Sequence, residues 1–427
     1  MKLLRFIPLL FIIISNSVLS QNATDYESNW PAWRGPLANG IAPESNPPVS
    51  WNENTNIKWK TAIPGKGFST PIIWDNYVFL STSIQKEGAA GSTMMPYTFK
   101  VVALNRVDGK ILWEKTVADE EVQEGIHQTA SQISNSSVTD GKFLYAYFGS
   151  RGLFCLDFKG NIIWKRDFGL MQKKMNFGEG SSPALYDNKI VIQWDHEGQS
   201  EIFCVDKTTG KDLWKRERDE PTSWATPFIV KYGGKVQVIT AASNKVRSYD
   251  LDNGDIIWEC SGLTSNVIPN PVFGDGILYV MSGYRGNALM AISLAKAKGD
   301  ISGSDAIIWS ANTGTPYVPS PLLVNRRLYF LRQNSGALSC LDATNGKVLY
   351  GPKMLEGLGV VYNSPVYAGG RIYLLGGSGL TYTLKDGPDL DIISENKLDD
   401  SFTASPAIVG DEIILRGLKY VYCIAKD

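Results

Sequence analysis

The chain has 427 residues, with 42 Lys and Arg against 43 Asp and Glu, so its formal net charge is only −1. A nearly neutral chain creates no long-range field that could hold nucleic acid or an anionic membrane surface, which excludes both classes of partner. It also has only two histidines, and its five cysteines include no Cys-x-x-Cys pair. We therefore expect no zinc site and no other site built from histidine.

The N-terminus predicts export. Residues 1–5 are basic, residues 6–14 are apolar, and small residues precede Gln21, which is the pattern of a signal peptide spanning residues 1–20. The apolar run is shorter than the roughly 20 residues that a membrane span needs. No cysteine follows the expected cleavage site, so lipid attachment is not expected. These features predict a soluble, monomeric protein in the periplasm or outside the cell.

Residues 21–54, rich in Asn, Pro, Ser and Trp, predict an extended N-terminal arm. We expect its Trp30, Trp33 and Trp51 to lie against the folded domain. The alternative is that the arm forms a ligand-binding segment of its own.

A repeat fills the rest of the chain. Eight dipeptides of the type Ser/Thr/Asn-Pro, here called register steps, recur mostly at intervals of about 40 to 50 residues, which indicates a repeated supersecondary unit. In the second step Ser replaces Pro. The register steps are Thr70-Pro71, Ser136-Ser137, Ser182-Pro183, Thr226-Pro227, Asn270-Pro271, Ser320-Pro321, Ser364-Pro365 and Ser405-Pro406.

Within the units a Gly-bearing turn recurs, followed by an apolar stretch that ends in Trp, as at Trp113, Trp164, Trp214 and Trp258. The later units depart from this pattern: Trp309 follows a longer insertion, Tyr350 replaces Trp, and Ile393 stands at the place in the seventh unit. Short β-branched and aromatic runs bounded by Asn-Gly or Asp-Gly are hairpin signals. The unit is therefore predicted to be four antiparallel strands, A to D.

The ends of the chain complement each other. One Trp-bearing strand precedes the first full unit, and the unit after Pro406 has only three strands. A ring without unpaired edges forms when the two ends share a sheet. We therefore predict an all-β, eight-bladed propeller over residues 55–427, with the last blade made from about residues 404–425 plus 55–61.

The cysteines occupy repeat positions. Cys155, Cys204, Cys340 and Cys423 share one slot on the third strand, where other units have Ala or Ser. Equivalent slots in different blades lie too far apart for a disulfide, which needs Cα atoms within about 7 Å. We expect these cysteines to be free and to pack in the core.

Loop length predicts which face carries function. The A–B turns are short, whereas long connections occur at residues 81–96, 118–132 and 169–180, all on the face that bears the D–A and B–C loops. Binding residues concentrate on such loops when a rigid scaffold presents them. The one long C–D connection is residues 295–305.

Three types of candidate site residue fall on this face. The first type is aromatic and lies three residues before the end of a register step, at Phe68, Trp224 and Tyr362. These rings predict an aromatic rim that binds a planar ligand; the alternative is that they only pack at the channel mouth. Arginines in B–C turns predict an anion site if two or more point inward, or else solvated turns. Glu179, Asp195 and His127 are the weak candidates for acid–base catalysis. The arginines are Arg151, Arg285, Arg332 and Arg416.

Residues 205–214, Val-Asp-Lys-Thr-Thr-Gly-Lys-Asp-Leu-Trp, resemble the tryptophan-docking repeat of pyrroloquinoline-quinone (PQQ)-like propellers, and the likeness extends over about residues 30–425. The resemblance implies one of two functions. Quinoprotein dehydrogenases bind PQQ and calcium in the channel, whereas assembly-type propellers, such as the outer-membrane barrel-assembly lipoprotein, bind polypeptide without a cofactor. The dehydrogenases typically have adjacent cysteines against the quinone, and many have a haem segment. This chain has neither.

We accordingly expect a binding or scaffold protein that acts through the long-loop face, with a protein, small-molecule or glycan ligand at the channel mouth. The alternative is a minimal PQQ-dependent oxidoreductase with Glu179 or Asp195 as base and an arginine near the quinone carboxylates. In that case Glu179 could also be one calcium ligand. A weaker alternative is a carbohydrate-binding or carbohydrate-active propeller that uses the aromatic rim.

Overall fold

The computed structural model describes residues 25–87, 95–122, 126–127 and 129–426, so the predicted signal peptide lies outside the described residues. The described chain forms eight sheets of four antiparallel strands, one of which gains a short fifth strand in parallel, and the innermost strands of the first and last blades contact each other. The predicted eight-bladed propeller is therefore confirmed. Within these ranges no helix has the length and apolar character to cross a membrane.

The innermost strand of each blade is short and the outermost strand is the most exposed. The first strand is β1 (Ile57–Ala62). Blade 1 consists of β2 (Ile72–Trp74), β3 (Tyr77–Gln85), β4 (Met95–Asn105) and β5 (Ile111–Val122). Blade 2 consists of β6 (Val138–Thr139), β7 (Phe143–Tyr147), β8 (Leu153–Asp157) and β9 (Ile162–Arg166).

The middle of the chain forms three more blades. Blade 3 consists of β10 (Ala184–Tyr186), β11 (Lys189–Trp194), β12 (Ser200–Asp206) and β13 (Asp212–Arg218). Blade 4 consists of β14 (Phe228–Tyr232), β15 (Lys235–Ala241), β16 (Val246–Asp250) and β17 (Ile256–Cys260). Blade 5 consists of β18 (Val272–Gly274), β19 (Ile277–Ser282), β20 (Ala288–Ser293) and β22 (Ile307–Ala311), with a short strand β21 (Gly299–Asp300) in the connection.

The last three blades complete the ring. Blade 6 consists of β23 (Leu322–Val324), β24 (Arg327–Leu331), β25 (Ala337–Asp342) and β26 (Val348–Met354). Blade 7 consists of β27 (Val366–Ala368), β28 (Arg371–Leu375), β29 (Leu380–Lys385) and β30 (Asp391–Lys397). Blade 8 contains β31 (Ala407–Val409), β32 (Glu412–Arg416) and β33 (Tyr420–Ile424). Single 3₁₀ turns lie at Gly149–Arg151 and Lys174–Asn176.

Blade 8 is shared between the two ends of the chain, as predicted. β1 pairs antiparallel with β33, and Trp59 lies opposite Cys423. This pairing gives blade 8 its outermost strand and removes the edge that β33 would otherwise expose.

Tryptophans on the outermost strands join consecutive blades. The indole of Trp113 donates to the carbonyl oxygen of Phe158 in the next blade at 2.8 Å, and Trp59, Trp164, Trp214 and Trp309 make corresponding bonds of 2.8 to 3.2 Å. Trp258 differs because its indole donates to Gln237 of its own blade.

The register steps form a second set of links at the inner end of the blades. In seven consecutive pairs, the backbone N–H of one step donates to the side-chain oxygen of the next step. The bonds run from Thr70 to Ser136 (3.0 Å), Ser136 to Ser182 (2.9 Å), Ser182 to Thr226 (2.9 Å), Thr226 to Asn270 (2.8 Å), Asn270 to Ser320 (2.9 Å), Ser320 to Ser364 (2.9 Å) and Ser364 to Ser405 (3.0 Å). The polar residue of each step therefore satisfies a buried donor of its neighbour.

All five cysteines are buried and free, which confirms the expected packing role. Burial raises the pKa of the Cys155, Cys204, Cys260 and Cys340 thiols to about 12. These groups are therefore held as neutral thiols in the blade cores.

The N-terminal arm enters the central channel. Asn29 accepts a hydrogen bond from Asp75 in an A–B turn, Trp30 pairs with Ile73 of blade 1, and the Arg34 guanidinium donates to the Pro321 carbonyl of blade 6 at 2.6 Å. Farther along, Asn46 bonds to Gly410 in another A–B turn. The arm thus rises from the A–B side, crosses the channel and returns to that side.

Candidate functional site

A cavity of about 420 Å³ opens on the face that bears the D–A and B–C loops. Its wall includes the equivalent residue from every blade, three positions before the end of each register step. These residues are Phe68, Ser134, Gly180, Trp224, Ile268, Val318, Tyr362 and Thr403. One position of the repeat therefore lines the cavity in every blade. The side chain at that position determines the shape of the wall in its own blade.

The aromatic candidates Phe68, Trp224 and Tyr362 all line this cavity and are half-buried. The indole N–H of Trp224 donates to the Gly178 carbonyl at 2.8 Å, which fixes the ring. Further rings come from Tyr317, a neighbouring residue also predicted for the rim, and from Tyr284 and Phe177, which were not predicted. Tyr284 and Tyr317 stack with centroids 4.9 Å apart, and Phe177 meets Trp224 edge-on at 6.2 Å.

Trp33 lines the same cavity from the arm. We expected this tryptophan to lie against the folded domain, but its position in the cavity did not follow from the sequence. Gly35 and Gly40, in the same segment as Trp33, are the sequence feature that indicates a closely packed loop here. A Cβ on Gly35 would lie 2.8 Å from the Trp30 ring, and one on Gly40 would lie 3.0 Å from the Pro365 carbonyl oxygen.

Glu179 also lines the cavity, but its carboxylate is already engaged. Oε2 accepts the Ser150 backbone N–H at 2.7 Å, and Oε1 accepts the Ser150 hydroxyl at 2.6 Å. Arg151 lies 3.7 Å away. A Cβ on Gly149 would lie 1.6 Å from Oε2, so only glycine permits this approach. The carboxylate thereby joins the loop of residues 169–180 to blade 2.

The other two titratable candidates differ in their position relative to the large cavity. Asp195 is fully buried and paired with Arg218, and it does not line the large cavity. His127 does line it, where Nδ1 lies 2.7 Å from the Thr129 hydroxyl and the ring meets Phe177 edge-on at 5.4 Å. The structure therefore brings His127 and Glu179 to one cavity, whereas Asp195 meets Glu179 only at a smaller adjoining pocket.

None of the four candidate arginines lines the cavity. Arg151 is buried, where its Nε donates to Glu120 at 2.8 Å. Arg416 is buried between blades 8 and 1, and burial lowers its pKa to about 9. Arg285 and Arg332 are exposed turn residues. The cavity therefore offers a ligand aromatic faces and neutral polar groups rather than cations.

The residues of the cavity do not fit PQQ and calcium. Calcium takes about six to eight oxygen ligands, whereas the described lining has one carboxylate, and Ser150 occupies both of its oxygens. No group of three or more His, Cys, Asp or Glu side chains in the described chain is arranged to hold a metal. The quinone carboxylates would meet no arginine. The donor set therefore gives no support to the oxidoreductase alternative.

A family model decides the relationship of this chain to known proteins. The model described as "Outer membrane protein assembly factor BamB" matches residues 97–348. The chain belongs to this family. It is thus a member of the PQQ-like propeller superfamily, which confirms the resemblance seen in the sequence.

Individual relatives are distant. BamB of Francisella salina is 25% identical over 170 residues, which cover 40% of this chain and 30% of that protein. A tetrathionate hydrolase of Acidithiobacillus ferrooxidans is 22% identical over 249 residues, 54% of this chain and 44% of that protein. These matches span less than half of either relative. BamB of Yersinia pestis is 20% identical over 332 residues, 74% of this chain and 77% of that protein.

Solved structures show the same fold. BamB from Moraxella catarrhalis has a TM-score of 0.55 and 14% identity, covering 80% of this chain and 98% of its own. Quinohemoprotein alcohol dehydrogenase from Comamonas testosteroni has a TM-score of 0.65 and 10% identity, covering 95% of this chain and 84% of its own. At these identities the likeness establishes the fold alone.

Proposed function

We propose that this chain is an exported binding or scaffold protein that holds a polypeptide segment through the face bearing its D–A and B–C loops, with an apolar or aromatic side chain of the segment seated in the central cavity. The observation that carries the proposal is the composition of that cavity. Aromatic side chains from several blades and from the arm surround it, while its one carboxylate is engaged by Ser150.

The loop beside the cavity supports an apolar polypeptide as ligand. Leu170 and Met175 are each 73% exposed on the connection between blades 2 and 3, and the same connection supplies Phe177 and Glu179 to the cavity wall. Exposed apolar side chains next to an aromatic cavity are typical of an interaction surface. The family relationship agrees with this ligand class, because the relatives are named as outer membrane protein assembly factors.

Equilibrium binding of an unfolded outer-membrane β-barrel protein, diluted from urea and labelled with a fluorophore, tests the proposal. We expect saturable binding that Trp224→Ala weakens about tenfold, since loss of a buried aromatic contact costs about 1 to 3 kcal/mol. Tyr186→Ala is the control, because Tyr186 is an exposed aromatic residue at the end of β10, beside the A–B turn on the opposite face.

Three outcomes would contradict the proposal. They are the absence of saturable binding, equal weakening by the Trp224 and Tyr186 variants, and Trp224-dependent binding of oligosaccharides but not of polypeptide. The last outcome would assign the cavity to a glycan.

A further inference from the structure

The outer edges of the blades are a second surface, separate from the cavity. The outermost strand of a blade has backbone N–H and C=O groups that point away from the sheet, and such an edge is a template for another strand. Among the described residues, extended segments of the chain itself cover two of these edges. The exposed side chains and the covering segments together show which edge remains available.

On blade 4, β21 pairs with β17 in parallel, Trp258 opposite Gly299 and Glu259 opposite Asp300. The N–H of Ile301 donates to the Glu259 carbonyl at 2.9 Å. Residue 259 therefore points its backbone groups outward. On blade 7, Asn52 of the arm forms a parallel bridge with Lys397 of β30. The edges of this propeller thus accept an extended strand in parallel orientation.

Most of the remaining outer strands carry residues that discourage such pairing. Charged side chains and proline protect an edge, because a second strand would have to bury a charge or lose a hydrogen bond. The protecting residues are Lys58 and Lys60 in β1, Glu114 and Lys115 in β5, Lys165 and Arg166 in β9, Lys215 and Arg216 in β13, and Pro352 and Lys353 in β26.

β22 of blade 5 differs from all of these strands. Its sequence, Ile-Ile-Trp-Ser-Ala, contains no charge and no proline, and the chain has no charged residue between Asp305 and Arg326. Ile308 is 39% exposed, and Ser310 is exposed. Ser310 follows Trp309 as Glu259 follows Trp258, so by equivalence its backbone N–H and C=O point outward.

We propose that the outer edge of β22 is a docking site for one extended, uncharged strand of a partner polypeptide, which adds to blade 5 in parallel as β21 adds to blade 4. The outward backbone groups around Ser310 supply the hydrogen bonds, and Ile308 supplies apolar contact for alternate side chains of the partner strand. The site is independent of the central cavity.

The test uses a defined probe, a fluorescein-labelled seven-residue peptide of alternating threonine and valine with blocked ends. Fluorescence anisotropy is expected to show saturable binding. Ser310→Pro removes an outward N–H without removing a bond to β20, and Ile308→Lys adds a charge, so each should weaken binding about tenfold or more. Ile163→Lys is the matched control, because Ile163 is also an exposed residue one position before a tryptophan, Trp164, but lies on β9, which already carries charges. This substitution should change the binding affinity by less than about twofold.

Trp224→Ala should leave peptide binding unchanged, so that failure of this site and failure of the cavity proposal can be told apart. Absence of saturable binding, or equal effects of Ile308→Lys and Ile163→Lys, would overturn the proposal. Sedimentation velocity of the protein without peptide provides the other decisive result. A dimer that Ile308→Lys converts to a monomer would show that the edge takes a second copy of this chain, which also overturns it.

Discussion

Asp195 and Arg218 form a bidentate ion pair in which both side chains have no exposure to solvent. The Nε–Oδ1 distance is 2.7 Å and the Nη2–Oδ2 distance is 3.1 Å. Nη1 of Arg218 also donates to the Tyr249 hydroxyl at 2.7 Å and to the Thr240 hydroxyl at 2.9 Å, and both belong to blade 4. The pair therefore joins blades 3 and 4 beside the face that bears the D–A and B–C loops.

We predict that Asp195→Asn lowers the free energy of unfolding by about 3 to 5 kcal/mol, because it leaves a buried guanidinium without its counter-charge. Urea denaturation followed by circular dichroism measures this loss. Asp252→Asn is the control, since Asp252 pairs with Lys189 at 3.0 Å on the surface with its side chain 85% exposed. That substitution should change stability little. Equal effects of the two variants would contradict a structural role for the buried pair.

The tryptophan docking between blades gives a second prediction. Gly210 has φ 69° and a Cβ there would lie 2.7 Å from Cε3 of Trp164, whereas Gly303 has φ 68° and open space around it. Alanine should cost about 1 kcal/mol at Gly303 from backbone strain alone. Gly210→Ala should cost about 1 to 3 kcal/mol more, since the indole must move. Denaturation curves measure both, and equal losses would show that the indole contact is unimportant.

Stability should fall at alkaline pH. Burial raises the pKa of four thiols from 9.0 to about 12, so between these values the unfolded chain releases protons that the folded chain retains. Their stabilising contribution is complete below about pH 9 and is lost as the pH rises toward 12. Urea midpoints at pH 8 and pH 10 should differ in this direction, and Cys204→Ala should reduce the difference. A urea midpoint that does not change between pH 8 and pH 10 would contradict the raised pKa values of the buried thiols.

Much of the propeller could be predicted because the same contacts between neighbouring blades recur from one repeat to the next. The register steps place side-chain oxygens where the neighbouring blade has a buried donor, and the docking tryptophans other than Trp258 pack on a glycine of the next blade. Both patterns are therefore visible in the sequence. The strand supplied by Trp59 was predictable for the same reason. Phe68, Trp224 and Tyr362 reached the cavity because one repeat position always faces the channel mouth.

The arm and the arginines could not be predicted in this way. Trp33 lies in a segment outside the repeat. Its depth in the channel therefore could not be inferred from an equivalent position in another unit. Arg151 and Arg416 are buried whereas Arg285 and Arg332 are exposed, although all four occupy B–C turns. The direction of each side chain depends on the local turn, such as the positive φ of 51° at Arg285, and on long-range partners such as Ser69 for Arg416.

The most direct test of the proposed function is site-specific photocrosslinking of an unfolded outer-membrane β-barrel protein to this chain. A photoreactive phenylalanine analogue replaces Tyr362 at the cavity wall or, in a matched variant, Tyr186 on the opposite face. We predict strong crosslinking from position 362, reduced when Trp224→Ala is added, and little from position 186. Crosslinking of equal strength from both positions, or none from position 362, would contradict it.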